Sequence, residues 1–62
     1  MEQKEKIYIN AEDMANLLGI SKSMAYKIIK SLNAELTKMG YLVVNGKLPR
    51  RYFEKRWYGY DN

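Results

Sequence analysis

Six side chains within ten residues carry most of the chemistry this 62-residue sequence offers: Ser21, Lys22, Ser23, Tyr26, Lys27 and Lys30. On a helix they lie on the side opposite Ala25, Ile28 and Leu32. Lysine ammonium groups and serine hydroxyls at such spacing suit phosphates or base edges. Tyr26 adds a ring and a hydroxyl that can meet a backbone or a thymine methyl. A second cluster follows at Asn45, Gly46, Lys47, Arg50 and Arg51, a positively charged turn with two arginines after it. This is chemistry for holding an anion. Bond-breaking chemistry is poorly supplied, because the sequence has no histidine and no cysteine. The commonest general base and the thiol nucleophile are therefore missing, as are the usual zinc ligands. Glu12 and Asp13 are adjacent carboxylates, but the first turn of a helix accounts for both. No enzyme activity, no metal and no cofactor are expected.

The charge is unevenly spread. Lys4 and Lys6 against Glu2, Glu5, Glu12 and Asp13 leave residues 1–20 at −2, whereas residues 21–56 carry nine cations against Glu35 and Glu54, or +7. With Asp61 the total is +4. A basic block after an acidic start points to an anionic partner, nucleic acid before membrane. The plainer alternative is a solvated surface with some excess lysine. No apolar stretch approaches the roughly 20 residues that span a bilayer, and "MEQKEKIYI" lacks the apolar core of a signal peptide. A cytoplasmic protein with no membrane partner is expected. Residues 1–62 read as a single domain, short enough to bury only about 60% of its unfolded surface.

The elements that position these side chains follow from period and punctuation. "IYI" (7–9) suits a short strand or arm. Asn10 reads as an N-cap with Glu12 and Asp13 in the first turn. Met14, Ala15, Leu17 and Leu18 form the stripe of a helix over 11–18, which Gly19 ends. Ser21 caps a second helix over 22–39, with Ala25, Ile28, Ile29, Leu32, Leu36 and Met39 inward and Gly40 at its end. "YLVV" (41–44) predicts a strand, and "NG" (45–46) predicts a type I′ hairpin turn leading to a return strand at Lys47 and Leu48. Pro49 keeps that strand short or at an edge and favours a helix start. A short closing helix then brings Phe53 and Trp57 together, with "GYDN" frayed.

Two helices joined by the corner Gly19–Ser21, with Ile20 beneath, make a helix-turn-helix. Ala15 gives the close approach, Gly19 the sharp turn, and Ala25 and Ile28 the inward face. The expected fold is α+β, mostly α: a winged helix-turn-helix with a short helix, a tight turn, a long recognition helix, a β-hairpin wing and a short C-terminal helix. Such domains place the N-terminal half of the recognition helix in the major groove. That face has no outward Asn, Gln or Arg, the sharpest base readers. Phosphate contacts and DNA shape should therefore carry much of the specificity. A basic wing would lie along the backbone or dip into the minor groove. Plainer alternatives stand beside each of these. The lysines can be a solvated face, Tyr26 an ordinary half-buried tyrosine beside Met24, and "NG" a turn that only closes a hairpin. One of Arg50 and Arg51 can pair with Glu54 or Glu35. Phe53 and Trp57 read as core before stacking platform, Tyr58 and Tyr60 as possible contacts between protomers, and the four methionines as core filling.

"INAEDMANLLGISKSMAYKIIKSLNAELTKMGY" followed by "NGKLPRRYF" resembles the small winged helix-turn-helix proteins of the excisionase family, related to MerR-type DNA-binding domains, over about residues 7–58. The resemblance implies a non-catalytic accessory factor of phages and integrative elements. Such a factor binds repeated double-stranded DNA sites near an attachment site, often cooperatively through self-association, bends the DNA and helps an integrase assemble an excisive complex. It would place Lys22, Ser23, Tyr26, Lys27 and Lys30 in the major groove, and Lys47 with Arg50 at the wing. The chain departs from the MerR pattern in having no long dimerisation coiled coil and no effector domain, which favours an architectural role. A small transcriptional regulator of a phage or mobile element is the alternative within DNA binding. A protein-interaction module using the tyrosines is the alternative outside it.

Overall fold

The computed structural model describes residues 7–57. Along them run β1 (Tyr8–Asn10), α1 (Ala11–Leu18), α2 (Lys22–Lys38), β2 (Lys47–Pro49) and α3 (Arg50–Arg56). The expected fraying of "GYDN" and the roles of Tyr58 and Tyr60 lie outside the described residues.

Local signals set α1 and α2. Asn10 closes β1 and caps α1: its Oδ1 accepts from the Asp13 amide at 2.8 Å, and its own amide donates to Asp13 Oδ2 at 3.2 Å. This reciprocal capping box satisfies two otherwise orphaned donors. α1 ends at Gly19, whose φ of +68° a side chain rarely adopts. There the Gly19 and Ile20 amides both donate to the Ala15 carbonyl, at 2.8 and 3.1 Å. Ser21 Oγ accepts from the Met24 amide at 3.1 Å and starts α2. α2 closes with the paired bonds of a Schellman motif, Tyr41 N–H to the Leu36 carbonyl and Gly40 N–H to that of Thr37.

The segment after α2 departs from expectation. Residues 41–44 form no strand. β2 pairs instead with β1, antiparallel, with Ile9 opposite Leu48 and Asn10 opposite Lys47. The sheet therefore joins two distant pieces of chain, and no hairpin links its strands. Two causes are visible. The Val44–Lys47 turn, closed by Lys47 N–H to the Val44 carbonyl at 3.0 Å, has positive φ at Gly46 (+80°) but not at Asn45. That is the pattern of a type II turn, whose twist splays flanking strands, and not of type I′. In addition, the Asn33 carboxamide on α2 takes up the carbonyls of Val44 and Lys47.

Ile9, Met14, Ala25, Ile29, Leu32, Leu36, Leu48 and Phe53 form the buried core, with Ile28, Tyr52 and Trp57 partly buried against it. Ile9 and Leu48 extend the core into the sheet as a cross-strand pair. Phe53 and Trp57 meet as expected, ring centroids 5.7 Å apart. Of the methionines, Met14 fills the core, whereas Met24 and Met39 are about half exposed, as is Leu17. Pro49 stands at the cap of α3 and not in its first turn. α3 is tied to α2 at Glu35, which accepts from Tyr52 Oη (2.7 Å), Arg56 Nε (2.9 Å) and Arg56 Nη2 (2.8 Å). The Arg56 guanidinium, then the Tyr52 hydroxyl, hold the Glu35 carboxyl down at about 2. The same contact raises Tyr52 above the usual phenol range.

Candidate nucleic-acid interface

The first three turns of α2 bury Ala25 and Ile29 and leave Ser21, Lys22, Ser23, Tyr26, Lys27 and Lys30 exposed. At about 100° per residue, the span from Lys22 through Tyr26, Lys30 and Ser23 to Lys27 covers an arc of about 140°. The three lysines thus share one side of the helix. Among the described residues, none of them has a carboxylate within ion-pair distance. Local electrostatics does not favour this arrangement. α1 opens with Glu12 and Asp13, which suit a positive helix end, whereas α2 opens with Lys22 and no acid in its first turn. A cation there is unfavourable by a few tenths of a kcal/mol up to about 1. An anion laid across the helix start would reverse that sign.

The Asn45–Gly46 turn is brought against this face. A Cβ built on Gly46 would lie 3.8 Å from Tyr26 Cε1 and 4.0 Å from its hydroxyl oxygen. Tyr26 thus packs beside the turn, with 47% of its surface exposed. It borders two open grooves. One runs between Lys22, Ser23, Lys27 and the start of α1 at Asn10, Ala11 and Glu12, with Gly46 at its edge. The other lies between Ile29, Lys30 and Asn33 on one side and Val43, Asn45 and Gly46 on the other.

The remaining basic residues separate. Lys47 is exposed on β2, opposite Asn10. Arg50 Nε pairs with Glu54 at 3.3 Å, and the Arg50 amide donates to the Ile7 carbonyl at 2.8 Å. Arg51 is not drawn to the lysine face. It borders a groove at the far end of α2 with Met39, Tyr41, Leu42, Tyr52 and Lys55. Sequence reasoning missed Asn33. It is 7% exposed and its Nδ2 donates to Lys47 O at 2.8 Å and Val44 O at 3.4 Å. Its position carries the missing signal, since Ala25, Ile29 and Asn33 continue one row at a spacing of four, where helical packing calls for an apolar side chain.

A short helix, a tight corner, a longer cationic helix, a closing helix and a two-stranded sheet define a small α+β domain compatible with the winged helix class. Within it, the chain belongs to the excisionase family. It is 38% identical over 48 residues to the ICEBs1 excisionase of Bacillus subtilis (strain 168), covering 77% of this chain and 75% of that protein. No family model matches the sequence, and no solved structure matches it. Among the described residues, no helix is long and apolar enough to cross a membrane.

Proposed function

We propose that this protein is a non-catalytic DNA-binding accessory factor, a recombination directionality factor that binds and bends double-stranded DNA beside an attachment site. α2 enters the major groove, with Ser21, Lys22, Ser23, Tyr26, Lys27 and Lys30 facing the duplex. The Asn45–Gly46 turn and Lys47 form the wing. Arg50 and Arg51 stand behind it as weaker candidates, because one is paired and the other lies towards the far end of α2. The observation that carries this reading is the exposed lysine face, without carboxylate partners among the described residues, on the half of the helix that such domains present to DNA. The kinship with an excisionase supports the excisive role. In this reading an integrase is the protein partner, copies associate on adjacent sites, and the protein acts in the cytoplasm.

The test is a salt titration of binding to duplexes from the attachment region of the encoding element and to scrambled duplexes. Affinity should fall with a log–log slope near −0.9 per phosphate neutralised. Lys27→Ala should weaken binding to all duplexes alike and flatten the slope by about one unit. A flat salt dependence in the parent protein would replace this reading with a protein-interaction module. Fluorescence energy transfer between the duplex ends reports the bend.

A further inference from the structure

Asn33 costs the core something and returns nothing to it. It is buried on α2 along with Ile29, Leu32 and Leu36, and its Oδ1 has no hydrogen-bond partner among the described residues. A leucine would avoid that buried, unsatisfied acceptor. The donor half of the carboxamide does something no apolar side chain could. It reaches across 11 and 14 residues of chain to the carbonyls at the two ends of the Val44–Lys47 turn. That turn has one backbone bond of its own, Lys47 N–H to Val44 O. With Tyr26 alongside Gly46, one ring and one amide group hold it to the recognition helix, while its last residue, Lys47, pairs with Asn10 of β1.

We infer that Asn33 is a positioning residue for DNA binding: by holding the carbonyls of Val44 and Lys47, it sets where the wing stands relative to the lysine face of α2. This rests on the DNA-binding reading above. Asn33 touches no nucleic acid in this account. It acts through Lys47 and the Asn45–Gly46 turn, so its effect must disappear when the wing's own contact is removed.

The inference is tested with Asn33→Leu, which keeps the branching of the side chain at a larger volume and removes both donors, and Asn33→Asp, which keeps shape and places an acceptor against two carbonyls. Leu36→Val, one turn further along α2 and with no side-chain bond to the turn, serves as a control for general loss of stability. In the absence of DNA, exchange of the Lys47 amide hydrogen should speed up in both Asn33 variants, with the α1 and α2 amides unchanged. Affinity for duplex should fall about tenfold, the scale of one or two lost hydrogen bonds. Lys47→Ala should flatten the salt slope by about one unit in the parent and leave it unchanged in the Asn33→Leu background. Parent-like Lys47 exchange, or an undiminished Lys47→Ala effect in that background, would overturn the inference. So would an equal loss of affinity in Leu36→Val. If the parent itself binds no duplex, the DNA-binding reading fails first, while the exchange result still reports whether Asn33 holds the turn.

Discussion

The stretches of chain before and after α2 are held in different ways. Before it, the hydrogen bonds of caps and corner close within a few residues: Asn10 with Asp13, Gly19 and Ile20 with Ala15, Ser21 with Met24. After its end, residues 41–49 are held by remote groups: Asn33, Tyr26 beside Gly46, and β1 across the whole of both helices. The first region can take its shape as soon as it is helical. The second waits for the rest of the molecule. Contacts of high sequence separation carry the larger loop-closure entropy, so the wing should be the part of the proposed interface most easily lost.

The largest effect that could break this contrast is Leu48→Ala. Leu48 is fully buried opposite Ile9, and its truncation should cost about 2–5 kcal/mol, measured by urea denaturation. In so small a domain that is close to unfolding. A cost under about 1 kcal/mol would mean that β2 lies against the core without belonging to it.

Next come two glycines with matched local cost. A Cβ at Gly19 would meet nothing within 4 Å, and one at Gly46 only ordinary contact with Tyr26, yet both have positive φ. Alanine at either should cost about 1–2 kcal/mol from backbone strain alone. Gly19 is fixed by two bonds into Ala15, whereas the 41–46 segment can shift, so Gly19→Ala should lower the midpoint of thermal unfolding more than Gly46→Ala. Gly46→Ala should show its effect in DNA affinity. The reverse order in thermal unfolding would place the stiffer region after α2.

The smallest effect concerns pH. Because Glu35 is held at about 2 against an ordinary 4.5, its tie to Arg56 and Tyr52 is fully present above about pH 4.5 and is lost as pH falls towards 2. Between pH 5 and 2 the parent should lose more thermal stability than Glu35→Gln. Parallel curves would mean that this exposed tie contributes nothing to holding α3.

How much was legible follows the same division. α1 was read residue for residue, and both helix starts were found, because cap, glycine and apolar stripe all lie inside the element they define. The lysine face was legible for the same reason. The partner of β2 was not, since nothing in "YLVVNGK" says that Asn33 will take two of its carbonyls, or that Ile9 offers Leu48 a better-buried neighbour than residues 41–44 could. Leu42 is 95% exposed, which no local pattern of four apolar residues would suggest. Arg51 was grouped with Lys47 by nearness in sequence. The turn into α3 separates them.

Both strands pass into helices with no residue between: Asn10 into α1, Pro49 into α3. A one-residue slip in their pairing would therefore turn a whole helix by about 100°, pulling either Met14 or Phe53 out of the core. Extra residues can enter this chain harmlessly only where no helix is geared to a strand. Among the described residues outside the corner between α1 and α2, that leaves Leu42 and Val43, between the bonds that close α2 and the Val44–Lys47 turn, as the place where natural or engineered variants can differ in length.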